Sequence, residues 1–117
     1  MTRVQASCHC GAVVIEADLS MPLSKARRCN CSFCKRRQAA NVSAPWASLN
    51  VLKGQDNLGL YTWGSHAAQH YFCKTCGIYT HHKRKFMPDE VGINVGCIEG
   101  VDPSTLEPFE WTDGANS

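Results

Sequence analysis

Seven of the eight cysteines in this chain fall into three tight groups. They are Cys8-His9-Cys10, then Cys29-Asn30-Cys31-Ser32-Phe33-Cys34, then Cys73-Lys74-Thr75-Cys76, and Cys97 stands alone. The thiolate is both a metal ligand and a nucleophile. Seven of them match the needs of one four-coordinate and one three-coordinate zinc. A site closed by four protein ligands is structural, whereas three ligands leave a position for water or substrate. A four-plus-three division therefore points to bracing at one site and chemistry at the other.

The spacing supports metal binding. In an extended strand residues i and i+2 face the same side. Cys8 and Cys10 can so present two sulfurs to one ion, with His9 turned away, and Cys29 and Cys31 can do the same around Asn30. Cys73-x-x-Cys76 followed by Gly77 has the spacing of a metal-binding knuckle. The glycine there can take positive φ and turn backbone amides toward the thiolates. Gly11, directly after Cys10, is placed for a similar role. A lone C-x-x-C is shared with redox motifs, so the weight lies in the combination. Spacing leaves the pairing open. Cys8, Cys10, Cys73 and Cys76 can form one set and leave Cys29, Cys31 and Cys34 as the other, or the middle group can recruit Cys97 or a histidine and become closed.

A disulfide-stapled secreted domain is the rival for an even number of cysteines, but these spacings fit it poorly. The first ten residues, MTRVQASCHC, hold no apolar run of a secretory signal. No membrane segment is present, and the expected location is the reducing cytoplasm, where clustered thiols bind metal more often than they oxidise.

A length of 117 residues fits one domain, 1–117. With 44% hydrophobic and 19% charged residues, disorder is not expected. The core is modest, and metal binding energy would add to folding energy. Seven thiolates and two divalent ions take three from the formal charge of +2, leaving −1. That argues against a nucleic-acid partner.

The elements that must carry these ligands read mostly as short strands. Residues 11–18, 26–31, 41–44, 68–73 and 77–82 are extended, and 90–96 alternates Val91, Ile93 and Val95 with Gly92 and Asn94. Residues 48–53 and 58–63 around 54–57 read as a hairpin. Residues 32–38 read as a short helix with Ser32 as N-cap, and the tail from Asp113 as fraying. No long segment has helical period. The expected class is mainly β with one short helix between metal ligands.

Other residues carry weaker signals. Arg27, Arg28, Lys35, Arg36 and Arg37 flank the middle cysteines. They can draw the carboxylates of a ligand or form a solvated face, with the last three late in the helix. His66, His70, His81 and His82 are candidate bases or spare ligands. His81 and His82 point to opposite faces of a strand, so at most one enters a pocket. Cys97 reads as a small buried hydrophobe. Trp46, Trp63, Tyr61, Tyr71 and Phe72 read as core.

The order C-H-C-G, C-N-C-S-F-C, F-C-K-T-C-G and V-G-I-N-V-G-C-I-E-G-V-D-P resembles the glutathione-dependent formaldehyde-activating (GFA) family, whose domain also occurs in centromere protein V. The resemblance spans about residues 4–111. It implies a β-tent fold of small antiparallel sheets stabilised by zinc. It implies two zinc ions per chain, a structural one on Cys8, Cys10, Cys73 and Cys76 and an open, catalytic one on Cys29, Cys31 and Cys34. It also implies a carbon–sulfur lyase that condenses a thiol such as glutathione with an aldehyde such as formaldehyde. No glutathione-contact residue can be matched by motif. The alternative from the same resemblance is a non-catalytic zinc module for a protein or chromatin partner.

Overall fold

The computed structural model describes residues 2–116. In chain order its elements are β1 (Thr2–Ser7), β2 (Val14–Leu19), β3 (Arg27–Cys29), α1 (Cys34–Arg37), β4 (Asn41–Pro45), β5 (Asn50–Lys53), β6 (Leu58–Tyr61), β7 (Gln69–Cys73), β8 (Tyr79–Lys83), β9 (Glu90–Asn94) and β10 (Glu110–Thr112). Short 3-10 turns join several of them. A three-stranded sheet has the order β1-β2-β5, and a seven-stranded sheet the order β10-β3-β4-β9-β8-β7-β6. All pairs are antiparallel except β10–β3, which is parallel. The expected mainly β architecture with one short helix is borne out. No described helix is long and apolar enough to cross a membrane.

The core follows from the strand patterns. β2 alternates, burying Ile15, Ala17 and Leu19 while Val14, Glu16 and Asp18 stay partly exposed. That is the pattern of a strand with one wet face. β4 and β9 are neighbours in the middle of the larger sheet, and Val42, Ala44, Val91 and Ile93 are wholly buried. These side chains form one apolar cluster with Val13, Ile15 and Val95. A backbone bond from Ser20 N–H to the Ser43 carbonyl (3.0 Å) ties the end of β2 to β4.

One strand had no expectation, and three expectations are corrected. Residues 2–7 form β1, which carries only a weak alternation in T-R-V-Q-A-S. Residues 48–53 and 58–63 do not form a hairpin. β5 pairs with β2 in one sheet and β6 with β7 in the other. Gly54, at φ +84°, and the 3-10 turn Gln55–Asn57 carry the chain between the sheets. A Cβ at position 54 would stand 2.1 Å from the Ala12 carbonyl oxygen, so crowding and conformation both demand glycine there. The helix is one turn, not two, and Ser32 does not cap it with its side chain. Gln38, in the left-handed region, ends it. Finally, the tail is held. Ala115 N–H donates to Asn30 Oδ1 (2.9 Å), and Asn30 Nδ2 donates to Asp113 Oδ1 (3.0 Å).

Candidate metal centres and the adjoining cleft

Cys8 and Cys10 lie in the turn between β1 and β2 rather than in a strand. Gly11, at φ +80°, closes that turn by donating its N–H to the Cys8 carbonyl (3.3 Å). Cys73 ends β7, and Gly77, at φ +79°, donates to the Cys73 carbonyl (2.8 Å) beyond Cys76. The two turns bring four sulfurs within 4.8 Å of one another. Cys8 Sγ and Cys10 Sγ are 3.8 Å apart, and Cys10 Sγ and Cys73 Sγ are 3.7 Å apart. Thiolates bound to a tetrahedral zinc at about 2.3 Å stand about 3.8 Å from each other. The donor set and its spacing therefore fit one zinc ion. Neutral donors support the sulfurs: Val13 N–H reaches Cys8 Sγ (3.2 Å) and Asn57 Nδ2 reaches Cys73 Sγ (3.3 Å). Backbone N–H groups of Cys10 and Ile78 hold the Cys76 thiol down at about 6.

The middle cysteines form a second group. Cys29 ends β3, Cys34 opens α1, and Cys31 lies between them. Their sulfurs lie within 4.8 Å of one another, and among the described residues no fourth His, Cys, Asp or Glu joins them. Three soft sulfur donors suit a zinc ion held by three protein ligands. Cys34 N–H donates to Cys31 Sγ (3.3 Å), and Lys35 N–H donates to the Cys31 carbonyl (2.9 Å). The start of α1 thus fixes two of the three ligands. Burial pushes the Cys34 thiol up to about 12, against the pull of the Arg37 charge. All eight cysteines are free, so no cystine bridge stands in for either group. Cys97 does not join the triplet. It is buried, its Sγ donates to the Tyr79 carbonyl (3.4 Å), and burial pushes its thiol up to about 11.

A cleft of about 500 Å³ opens beside the triplet, with Cys29 and Cys34 in its wall and Lys25, Arg27, Arg28 and Arg84 around them. Only part of the basic cluster is available to a ligand. Arg27 pairs with Glu110 (2.7 Å) and Arg28 with Glu107 (3.0 Å). Arg36 bonds to the Ser32 carbonyl, and Arg37 is turned inward. Lys25 and Arg84, neither of which sequence spacing singled out, supply further charge. Arg84 donates to Ser43 Oγ (2.7 Å) and stands 3.6 Å from Glu90.

The histidines divide as strand geometry requires. His82 lies in the cleft wall and stacks on His70, with ring centroids 5.4 Å apart. His81 faces the other way, stacked at 4.8 Å on Tyr71. Burial, and Arg37 in the case of His70, lower His70 to about 4, and burial lowers His81 to about 4. His82 lies well below its ordinary value for the same reason, with Arg84 and Arg37 adding to it. All three are neutral at pH 7. His66 is exposed, with its ring Nδ1 2.8 Å from Thr62 Oγ1. Tyr61 and Trp63, expected in the core, stay largely exposed and meet Phe33 beside a smaller recess of about 330 Å³.

Residues 3–112 match the family model described as "Glutathione-dependent formaldehyde-activating enzyme". The chain belongs to this family. A crystal structure of a Rhodobacter sphaeroides protein is similar to this GFA chain at 50% identity and a TM-score of 0.90. The match covers 92% of this chain and 99% of that one. GFA membership supports, in general, a glutathione-dependent function of the formaldehyde-activating type.

Proposed function

We propose that this chain is a zinc-dependent carbon–sulfur lyase that joins a thiol to an aldehyde at the Cys29, Cys31 and Cys34 site. The observation that carries the reading is a group of three thiols, with no fourth ligand among the described residues, two of which, Cys29 and Cys34, lie in the wall of a cationic cleft. A non-catalytic module has no use for that combination, whereas the four-cysteine group serves either role by bracing the turns around it. When bound at the triplet, zinc would supply positive charge that favours the thiolate form of a nearby sulfur.

The chain's own residues account for the rest. The cleft volume suits a peptide-sized thiol, and Lys25 attracts its carboxylates. Tyr79 hydroxyl donates to Asn41 Oδ1, so His82 Nδ1, 2.6 Å from the Tyr79 hydroxyl oxygen, carries a hydrogen and donates to that hydroxyl. This chain of bonds fixes the His82 ring in the cleft wall, where burial keeps it neutral. In the reaction the thiol gives up its proton and a sulfur–carbon bond forms. The carbonyl π pair moves to oxygen, which takes up a proton. No oxidant or reductant is needed.

The test is NMR exchange between free formaldehyde, glutathione and their adduct, with and without protein loaded with two zinc ions. Faster exchange with protein supports the reading, and unchanged exchange rejects it.

A further inference from the structure

We propose that Arg37 is a positioning residue of the triplet. Its guanidinium offsets thiolate charge at Cys34 and so favours the docking of a substrate thiolate at the same site. The inference rests on the thiol–aldehyde reading above and adds a role that differs from carboxylate attraction.

Cys34 and Arg37 are the first and last residues of α1, one turn apart on one face. Arg37 Nη2 donates to Cys34 Sγ at 3.5 Å. Arg37 Nη1 lies 3.1 Å from His70 Nδ1, and since arginine only donates, His70 Nδ1 accepts. The guanidinium carbon sits over the Tyr79 ring at 3.7 Å and over the Phe33 ring at 4.6 Å. Nε is buried with no hydrogen-bond partner. An arginine clamped by two rings and an imidazole cannot swing out to meet a solvated carboxylate. The cations nearer the cleft mouth behave differently: Arg27, Arg28 and Arg84 each have a carboxylate beside them.

The four-cysteine group offers an internal comparison. Its sulfurs are met by backbone N–H groups, among them those of Val13 and Ile78, and by the neutral Asn57 amide. Among the described residues the triplet alone shows a full positive charge hydrogen-bonded to a ligand sulfur. Three thiolates around a divalent ion carry a net −1, and an arriving thiolate makes it −2. A guanidinium beside Cys34 cancels one of those charges in a partly dry setting, where Coulomb energies exceed their values in water. A closed structural site binds no further anion and has no need of such a group.

The test uses protein loaded with cobalt(II), in the wild type, Arg37→Gln and Arg37→Lys. The cobalt–thiolate absorption reports the ligands directly, and each form is titrated with glutathione and with 2-mercaptoethanol, a thiol without a carboxylate. Arg37→Gln is expected to shift the absorption before any thiol is added. It should then weaken both thiols by the same factor, about tenfold, the lower end of effects seen when a ligand's hydrogen-bond partner is removed. Arg37→Lys, which keeps the charge, should recover part of the loss. Loss for glutathione alone makes Arg37 a carboxylate clamp and overturns the proposal, as does no loss for either thiol. If Arg37→Gln does not take up two cobalt ions, equal but smaller losses in Arg37→Lys support the proposal and unequal ones overturn it. If the wild type binds neither thiol, the thiol–aldehyde reading fails. An unshifted absorption in Arg37→Gln separately removes the role of Arg37.

Discussion

Gly114 lies directly against the Cys29 thiol. A Cβ at position 114 would stand 2.5 Å from Cys29 Sγ and 3.2 Å from Cys31 Cβ. The segment is pinned there by Asn30, the residue between those two cysteines, through its bonds to Ala115 and Asp113. β10 leads into it, pairing Thr112 with Cys29. The end of the fold is therefore part of the wall around the triplet. Gly114→Ala should push 113–116 aside and disturb Cys29. Zinc retention at the triplet is expected to fall about tenfold, as when a metal ligand's support is altered. Chelator competition measures it, and unchanged retention of the weaker-held ion would refute the contact's importance.

The two cysteine groups should fail differently. Cys10→Ser removes a ligand from a group that joins the β1–β2 turn to the end of β7, two distant parts of the chain. Metal-binding energy is folding energy at such a site, so the variant should unfold or lose most of its yield. Cys31→Ser acts where the ligands are close in sequence, and it should leave the fold intact with one zinc instead of two. Metal analysis and circular dichroism on both variants decide the matter. Equal unfolding by Cys31→Ser would make the triplet structural as well.

Buried neutral histidine makes stability pH-dependent in a definite direction. The ordinary value for His81 is 6.5, and burial lowers it to about 4. Above pH 6.5 neither the folded nor the unfolded chain is protonated there, so His81 adds no pH dependence. Between 6.5 and 4 the unfolded chain takes a proton that the fold refuses, and stability falls as pH falls. The loss levels off below about 4, at about 3 kcal/mol. His81→Phe keeps a ring against Tyr71 and removes the titration. Urea unfolding at pH 7.5 and pH 5 should show a smaller acid loss in the variant than in the wild type, metal release being common to both. Equal losses would show that His81 does not titrate in this way.

Gly92 sits under His82. A Cβ there would fall 2.3 Å from His82 Cε1, and the Tyr79 hydroxyl reaches the Gly92 carbonyl at 3.4 Å. β9 is central in the sheet and His82 is buried, so neither can yield freely. Gly92→Ala should cost about 1–3 kcal/mol, as overpacking does. Urea unfolding checks the cost; a loss under half of that range would mean that His82 can turn aside.

Each of the three cysteine clusters was legible in the sequence because its members are close along the chain, while the joining of Cys8 and Cys10 to Cys73 and Cys76 was left open by spacing and came only with the family resemblance. A pair two or three residues apart can meet at one point through a single tight turn, whatever lies elsewhere. The glycines after Cys10 and Cys76 showed where those turns fall. The expectation of extended Cys8–Cys10 geometry missed because a turn brings the same two sulfurs together, and spacing alone does not separate the two. The apolar side of β9 was legible from the alternation of Val91, Ile93 and Val95, and the opposed faces of His81 and His82 from the same strand period.

Sequence by itself thus determined the strand-rich class and the three local cysteine clusters, since both depend on local spacing and on the side-chain period of a strand, whereas packing joined Cys8 and Cys10 to Cys73 and Cys76. Only the tertiary structure decided that 50–53 and 58–61 belong to different sheets, because pairing choice depends on partners, β2 and β7, far away along the chain. It alone placed Lys25 and Arg84 around the triplet, turned Arg37 from the solvent onto Cys34, and laid Gly114 over Cys29. Those contacts arise where segments separated by many residues are brought together by packing, and no spacing within a single segment encodes them.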